Sequence, residues 1–301
     1  MHPLKLGDIQ IDRVVELDRW VFPAKKLFPN ITTDILAACQ EWLDERFVDF
    51  NNAQLILGVH SFLIRAPKKT ILVDTCNGNH RHRPSIRTRH QLNTRYYTNL
   101  LDTGVRPEDI DIVLTTHLHP DHCGWNTRLV NHEWVPTFPK AKYLINKVEL
   151  EEIESFVVAR RKKGEVNDIT EMYNDSVLPI ITSGQLQLFD TRQNTRCCLC
   201  QDVHVESTPG HSTGHVAIRV NGGGRKAVIT GDAIHHPIQF NALNLANASD
   251  SNPLLATETR TRLIRECIDT NTIILGTHFA GPTACTISST SSQLKFNWLT
   301  E

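Results

Sequence analysis

Four side chains able to bind a metal fall within one short stretch, His117-Leu118-His119-Pro120-Asp121-His122, two threonines after the apolar run Ile112-Val113-Leu114. Histidines two apart in an extended segment leave on the same face, and Pro120 can start a turn that swings Asp121 and His122 round toward them. That is more donors than one tetrahedral ion takes from a single loop. Imidazole together with carboxylate suits zinc, iron, manganese or cobalt, whereas a calcium loop is built from oxygens alone. The chemistry on offer is a bound cation acting as Lewis acid and activating water.

Three further candidates stand at the ends of apolar runs or in a tight turn: His211 in Thr208-Pro209-Gly210-His211, Asp232 after Val228-Ile229-Thr230-Gly231, and His278 after Ile273-Ile274-Leu275-Gly276-Thr277. The order HxHxDH, then His, then Asp, then His resembles the metallo-β-lactamase-fold hydrolases, from roughly Leu55 to Phe279. The resemblance implies an α/β fold, a four-layer αββα sandwich, here with an N-terminal helical insertion over residues 17–50. It also implies two divalent metal ions, zinc first and manganese, iron or cobalt next. One would be held by His117, His119 and His211, the other by Asp121, His122 and His278, with Asp232 bridging. Because Asp232 is present, the chain resembles the dinuclear hydrolase branch more than the antibiotic-degrading enzymes. His215 and Asp74 match positions that the family places near the metals without coordinating them, where they orient the ligating rings.

Two ions about 3.5–4 Å apart can share a water and bring its pKa toward neutrality. The expected mechanism has one ion polarising the acyl oxygen, the bridging hydroxide attacking, and the second ion accepting the leaving oxygen, which Asp121 or water then protonates. No GxSxG nucleophile elbow competes with this reading. A fold alone does not choose the substrate. The contexts of His117–Asn126 and Asp232–Phe240 are similar to the branch of acyl-homoserine lactonases and methyl parathion hydrolase. Lactonases of that branch place a tyrosine near the metals; here no tyrosine lies close to Asp232, and His235 stands three residues after it. His235 is expected to hydrogen-bond the oxyanion or to donate a proton.

The substrate expected is therefore a small lactone or ester, with organophosphate triesters as a related class, in a pocket walled by Trp125, His236, Phe240 and Phe279, with Trp20 and Phe22 as further candidates. Two other readings stand beside the hydrolase. A diiron oxidoreductase or dioxygenase would need an electron partner or a thiol substrate, and no flavin domain is appended. A metal-stabilised binding protein without turnover is disfavoured because all seven ligand positions are filled.

The remaining composition narrows the context. Ligands scattered from His117 to His278 must converge, so the 301 residues are expected to form a single domain. A net charge of −1 gives no electrostatic footprint for nucleic acid. No secretory signal or membrane span is visible, so a cytoplasmic protein is expected, and residues 17–50 offer a pocket wall or a homodimer contact. Eight cysteines without a signal read as reduced thiols, and Cys197-Cys198-Leu199-Cys200 lacks the second pair that would complete a zinc site. The run Arg81, Arg83, Arg87, Arg89 and Arg95 reads as a solvated loop, or as a recognition surface for an anionic group.

The positioning elements follow from periodicity. Strands are expected at Ile9–Leu17, Leu55–Ile64, Thr70–Asp74, Lys142–Ile145, Val203–Ser207, Val216–Val220, Lys226–Thr230 and Ile273–Leu275, with a hairpin turn at Asn221–Gly224. Helices are expected at Thr33–Phe47, His90–Leu101, Lys147–Lys163, Asp168–Leu178 and Thr257–Ile268. The ligands then sit on loops at one edge of two sheets, where a rigid scaffold leaves backbone free to be shaped.

Overall fold

The computed structural model of the chain describes residues 2–290 and 293–299. Two compact units form. One gathers the segment up to Gln10, Leu17–Val59 and the chain from Arg196 onward; the other gathers Ile11–Glu16 and His60–Thr195. The boundaries fall inside the long strands Ile9–Pro23 and Gln54–Ala66, so each of these strands supplies residues to both units.

In the unit containing the HxHxDH motif, Lys69–Val73 pairs antiparallel with Phe62–Ala66 and parallel with Ile112–Leu114. Lys142–Asn146 and then Leu186–Phe189 add parallel strands. Ile71, Leu72, Val73, Ile112, Val113 and Leu114 are all buried, the continuous apolar burial expected of central parallel strands. The long connection between the last two strands is helical. It begins with Lys147–Lys162, capped by the Asn146 side chain, which accepts from Val148 N–H. Asp168–Met172 follows, widens to a π-turn at Tyr173–Val177, and resumes as Leu178–Thr182. Pro179 lacks the N–H that a helix interior uses, and the wider turn just before it accommodates that loss. Leu118, Cys123, Ile145, Leu150, Val157, Met172 and Val177 make a common core, which ties the motif to these helices.

In the other unit seven strands lie in the order Arg196–Cys200, Val203–Ser207, Val216–Gly222, Arg225–Ile229, Ile273–Leu275, Ala284–Ser289 and Leu294–Trp298. Neighbours are antiparallel except Arg225–Ile229 with Ile273–Leu275, which are parallel and joined through the helix Pro253–Cys267. Gly223 and Gly224, both at positive φ, close the expected hairpin. Ala217, Val228, Ile264, Ile274 and Phe279 are among the residues of the core.

Several boundaries differ from the periodicity. The first long strand runs on to Pro23 past the exposed Asp18 and Arg19. The helix starting at Thr33 has the expected Thr32 cap but stops at Cys39, seven residues instead of fifteen. Beyond it Asp44 accepts from the backbone and guanidinium of Arg46, a local bond that favours a turn over helix. The helix expected from His90 begins only at Tyr96, because Gln91 takes a positive φ and Asn79 accepts from Thr94 N–H. No helix among the described residues is long and apolar enough to cross a membrane.

Candidate metal centre

Each unit holds a cluster of the expected ligands. The HxHxDH segment leaves the strand Ile112–Leu114 extended, and His119 is the N-cap of the short helix Pro120–Cys123, with Pro120 in its first turn. Asp74, at φ 56°, closes the preceding strand and fastens the motif at two points. Its carboxylate accepts from Thr116 N–H at 2.8 Å and from the Thr116 hydroxyl, and its Oδ2 accepts from His122 Nδ1–H at 2.9 Å. Glu149, from the start of the following helix, accepts from Leu118 N–H at 3.0 Å between the first two histidines. Thr116 Oγ1 lies 3.1 Å from His117 Nδ1 and can accept its proton. His117 Nε2 then faces His119 Nδ1 at 2.9 Å. Asp121 Oδ1 stands 4.0 Å from His122 Nε2.

The other cluster is built around Asp232, which lies on a one-turn helix entered through Gly231 at φ 51°. His215 Nε2 accepts from Asp232 N–H at 2.9 Å, and its Nδ1 bonds to Thr208, so this ring positions the backbone of Asp232. His211 follows Gly210, where a Cβ would come within 2.3 Å of Ala256 N; only glycine lets the turn pass so close to the helix Pro253–Cys267. His211 Nδ1 donates to Asp250 at 2.8 Å, and His278 Nδ1 donates to the Gly58 carbonyl at 2.9 Å. His211 Nε2 lies 3.4 Å from Asp232 Oδ2, and His278 Nε2 3.2 Å from Asp232 Oδ1. His235 Nε2 is 3.1 Å from Asp232 Oδ2. Its Nδ1 is buried with no hydrogen-bond partner among the described residues. His211, His235 and Asp250 have potential ligand atoms within 4.8 Å of one another.

The tautomers follow from these contacts. A proton on Nδ1 of His117, His122, His211 and His278 serves Thr116, Asp74, Asp250 and Gly58 respectively, and it puts each lone pair on Nε2. Lone pairs and carboxylate oxygens thus approach one another in buried surroundings, where such crowding is stable only with a cation or a proton among them. Imidazole nitrogen with carboxylate oxygen is the donor set of a divalent transition metal, and the residues present fit one.

Asp250 and Glu149 carry no local sequence signal for these roles. Asp250 is separated from His211 by 38 residues, and only the fold brings it there. The residues expected to wall the pocket are packed into the fold. Trp125 stacks on Tyr96 and donates its indole N–H to Glu16 at 2.8 Å. Phe240 and Phe279 pack together in the core, ring centroids 5.7 Å apart. His236 is fully buried, donating from Nε2 to the Phe47 carbonyl and accepting from Ile238 N–H at Nδ1. Both its nitrogens are used within the fold, and burial lowers its pKa to about 4. Trp20 is buried too, while Phe22 is half-buried. Aromatic residues near a ligand motif served mainly to pack it.

The arginine-rich stretch is not a solvated loop throughout. Arg81 and Arg83 are fully buried. Arg83 makes a bidentate pair with Asp175, both bonds 2.8 Å. Arg81 donates to the carbonyls of Asp175, Gly124 and Thr127 and stacks on Trp134. Burial pulls its pKa down to about 10, still well above neutral. Arg87 and Arg95 are exposed, and Arg89 pairs with Asp121.

The metallo-β-lactamase superfamily model matches residues 56–278. The chain belongs to that superfamily and has its fold. Similar solved structures include a probable metal-dependent hydrolase from Staphylococcus aureus, at 21% identity, 98% coverage of each chain and TM-score 0.76. Another is AidC, a dizinc quorum-quenching lactonase in complex with a product, at 18% identity, 99% of this chain, 96% of that one and TM-score 0.75. A third is a B. thuringiensis AiiA variant with N-decanoyl-L-homoserine at its active site, at 17% identity, 91% and 94% coverage and TM-score 0.61.

Proposed function

We propose that the protein is a dinuclear hydrolase of small lactones or esters, with organophosphate triesters as a related substrate class. One ion is assigned to His117, His119 and His211 and the other to Asp121, His122 and His278, with Asp232 shared, the whole chain acting as one catalytic domain. The observation that carries this reading is the pinning of four of the ligand rings through Nδ1, which orients their Nε2 lone pairs. AidC is a dizinc lactonase in complex with a product and an AiiA variant holds N-decanoyl-L-homoserine at its active site, which supports a lactone or ester as the substrate class and zinc as the first choice of metal.

Two such ions, when bound, supply an activated water and polarisation of the scissile carbonyl or phosphoryl group. The protein's own groups orient and hold protons. Asp74, Asp250 and the Gly58 carbonyl hold the rings in place, and His215 holds the backbone of Asp232. Of the two groups assigned to proton transfer, Asp121 stands in the ligand cluster with its Oδ1 toward His122. His235 keeps an uncommitted Nδ1, which suits a hydrogen bond to growing charge. Of the four tyrosines, Tyr96 bonds Ser61, Tyr143 the Asn126 carbonyl and Tyr173 Glu154, while the Tyr97 ring lies against Trp125.

The test is metal content together with turnover of lactones, aryl esters, a phosphotriester and a β-lactam, for the chain and for Asp232→Ala. Two ions per chain and a lactone or ester turnover lost in the variant are expected. Two ions without turnover on any substrate would sink the hydrolase reading. A homodimer is the proposed assembly, and light scattering that gives the mass of one chain would refute it.

A further inference from the structure

The segment 80–95 delivers one contact that the proposed chemistry does not use. Arg89 Nη2 donates to Asp121 Oδ2 at 2.9 Å, in a pair that is nearly buried on both sides, 16% and 6% exposed. The other oxygen of the same carboxylate, Oδ1, is the one nearest His122 Nε2. The two oxygens are thus divided between a guanidinium and the ligand cluster. The turn Arg87–Arg89 that carries the arginine is held at several points. His90 Nδ1 accepts from Arg83 N–H, the Arg81 carbonyl accepts from Gln91 N–H, and Asp168 accepts from Ser85. Behind these bonds the buried guanidiniums of Arg81 and Arg83 anchor the segment to Asp175.

We propose that Arg89 is a positioning residue for the ion assigned to Asp121, His122 and His278: by occupying Oδ2 it makes Asp121 a one-oxygen ligand through Oδ1. Without it the carboxylate could turn or chelate through both oxygens, and it would lose the charge-assisted bond that fixes its plane. Groups of this kind behind a metal ligand typically change affinity by about 10–100-fold. The proposal rests on the dinuclear reading.

Its test is zinc binding by chelator competition on the intact protein, resolved into two affinities, for wild type, Arg89→Met and Arg89→Lys, with thermal melts of each zinc-free protein. Expected is a loss of about 10–100-fold at one zinc site in Arg89→Met, the other site within about threefold of wild type, and partial recovery in Arg89→Lys. Two unchanged affinities in Arg89→Met would overturn the proposal. So would a parallel loss at both sites with a lowered melting temperature, since that is the behaviour of a merely structural arginine. A wild-type protein that takes fewer than two ions would overturn the dinuclear reading itself, and the proposal with it.

Discussion

An imidazole has two nitrogens, and a metal takes only one. In this chain the choice is made by whatever the other nitrogen touches, and for His211 that is the buried carboxylate of Asp250, 2.8 Å away. Replacing Asp250 by Ala frees the His211 ring to rotate and should weaken metal binding by about 10–100-fold. Chelator competition reads that loss directly, and an unchanged affinity would remove Asp250 from the site. His236 follows the opposite logic. Buried neutral, it has a folded-state pKa near 4 against about 6.5 in an unfolded chain. Between those values the unfolded chain binds a proton that the folded one refuses. Stability is therefore fully present above about pH 6.5 and falls as the pH drops toward 4, by up to on the order of 3 kcal/mol. Urea midpoints from pH 7 to 4.5 should fall less steeply in His236→Gln than in wild type. Residues like these were only half legible. The ligands announce themselves because donors recur at strand ends. Their supports do not, since an aspartate in a loop looks the same whether or not a histidine from 39 positions away rests on it.

Elements were read well where periodicity was long and poorly where side chains made their own local bonds. The strands around Ile112 and Ile273 and the helix from Lys147 were evident as apolar runs or stripes; the abrupt end at Cys39 and the late start at Tyr96 were set by side-chain-to-backbone bonds that no period records. The helical stretch from Asp168 was seen, but its π-turn was not. That turn places Asp175 between two buried guanidiniums. Asp175→Ala would leave both without their carboxylate, and breaking a buried pair in this way costs about 3–5 kcal/mol. A thermal melt or denaturant titration should show it; a change under about 1 kcal/mol would mean that the carbonyls around Arg81 suffice. Gly124 is a second test at this scale. A Cβ there would lie 1.9 Å from the Asn77 carbonyl oxygen, so Gly124→Ala must push apart the loop after Asp74 and the end of the HxHxDH helix. Loss of both stability and metal affinity is expected, and a variant with wild-type zinc affinity would refute the coupling.

For the whole molecule, the superfamily and fold were legible from seven spaced residues, while the substrate was not, because the aromatic residues beside the motifs turned out to be packing. If two ions belong to the native state, each site held at a hundredfold excess of metal over Kd adds about 2.7 kcal/mol of stability. Exhaustive chelation should lower the melting temperature by several degrees, and re-addition of zinc should restore it; an unmoved melt would argue against resident metal. A different consequence lies in the strand Arg196–Cys200, the first of its sheet, paired on one side by Val203–Ser207. No second strand flanks it in that sheet among the described residues, and Cys198 within it is an exposed thiol outside any disulfide. Air could weld two such edges into a covalent pair, seen as a doubled band on a non-reducing gel and absent in Cys198→Ser. An apparent dimer would then record the age of the preparation, and the oligomeric state has meaning only when it is weighed in fresh reductant.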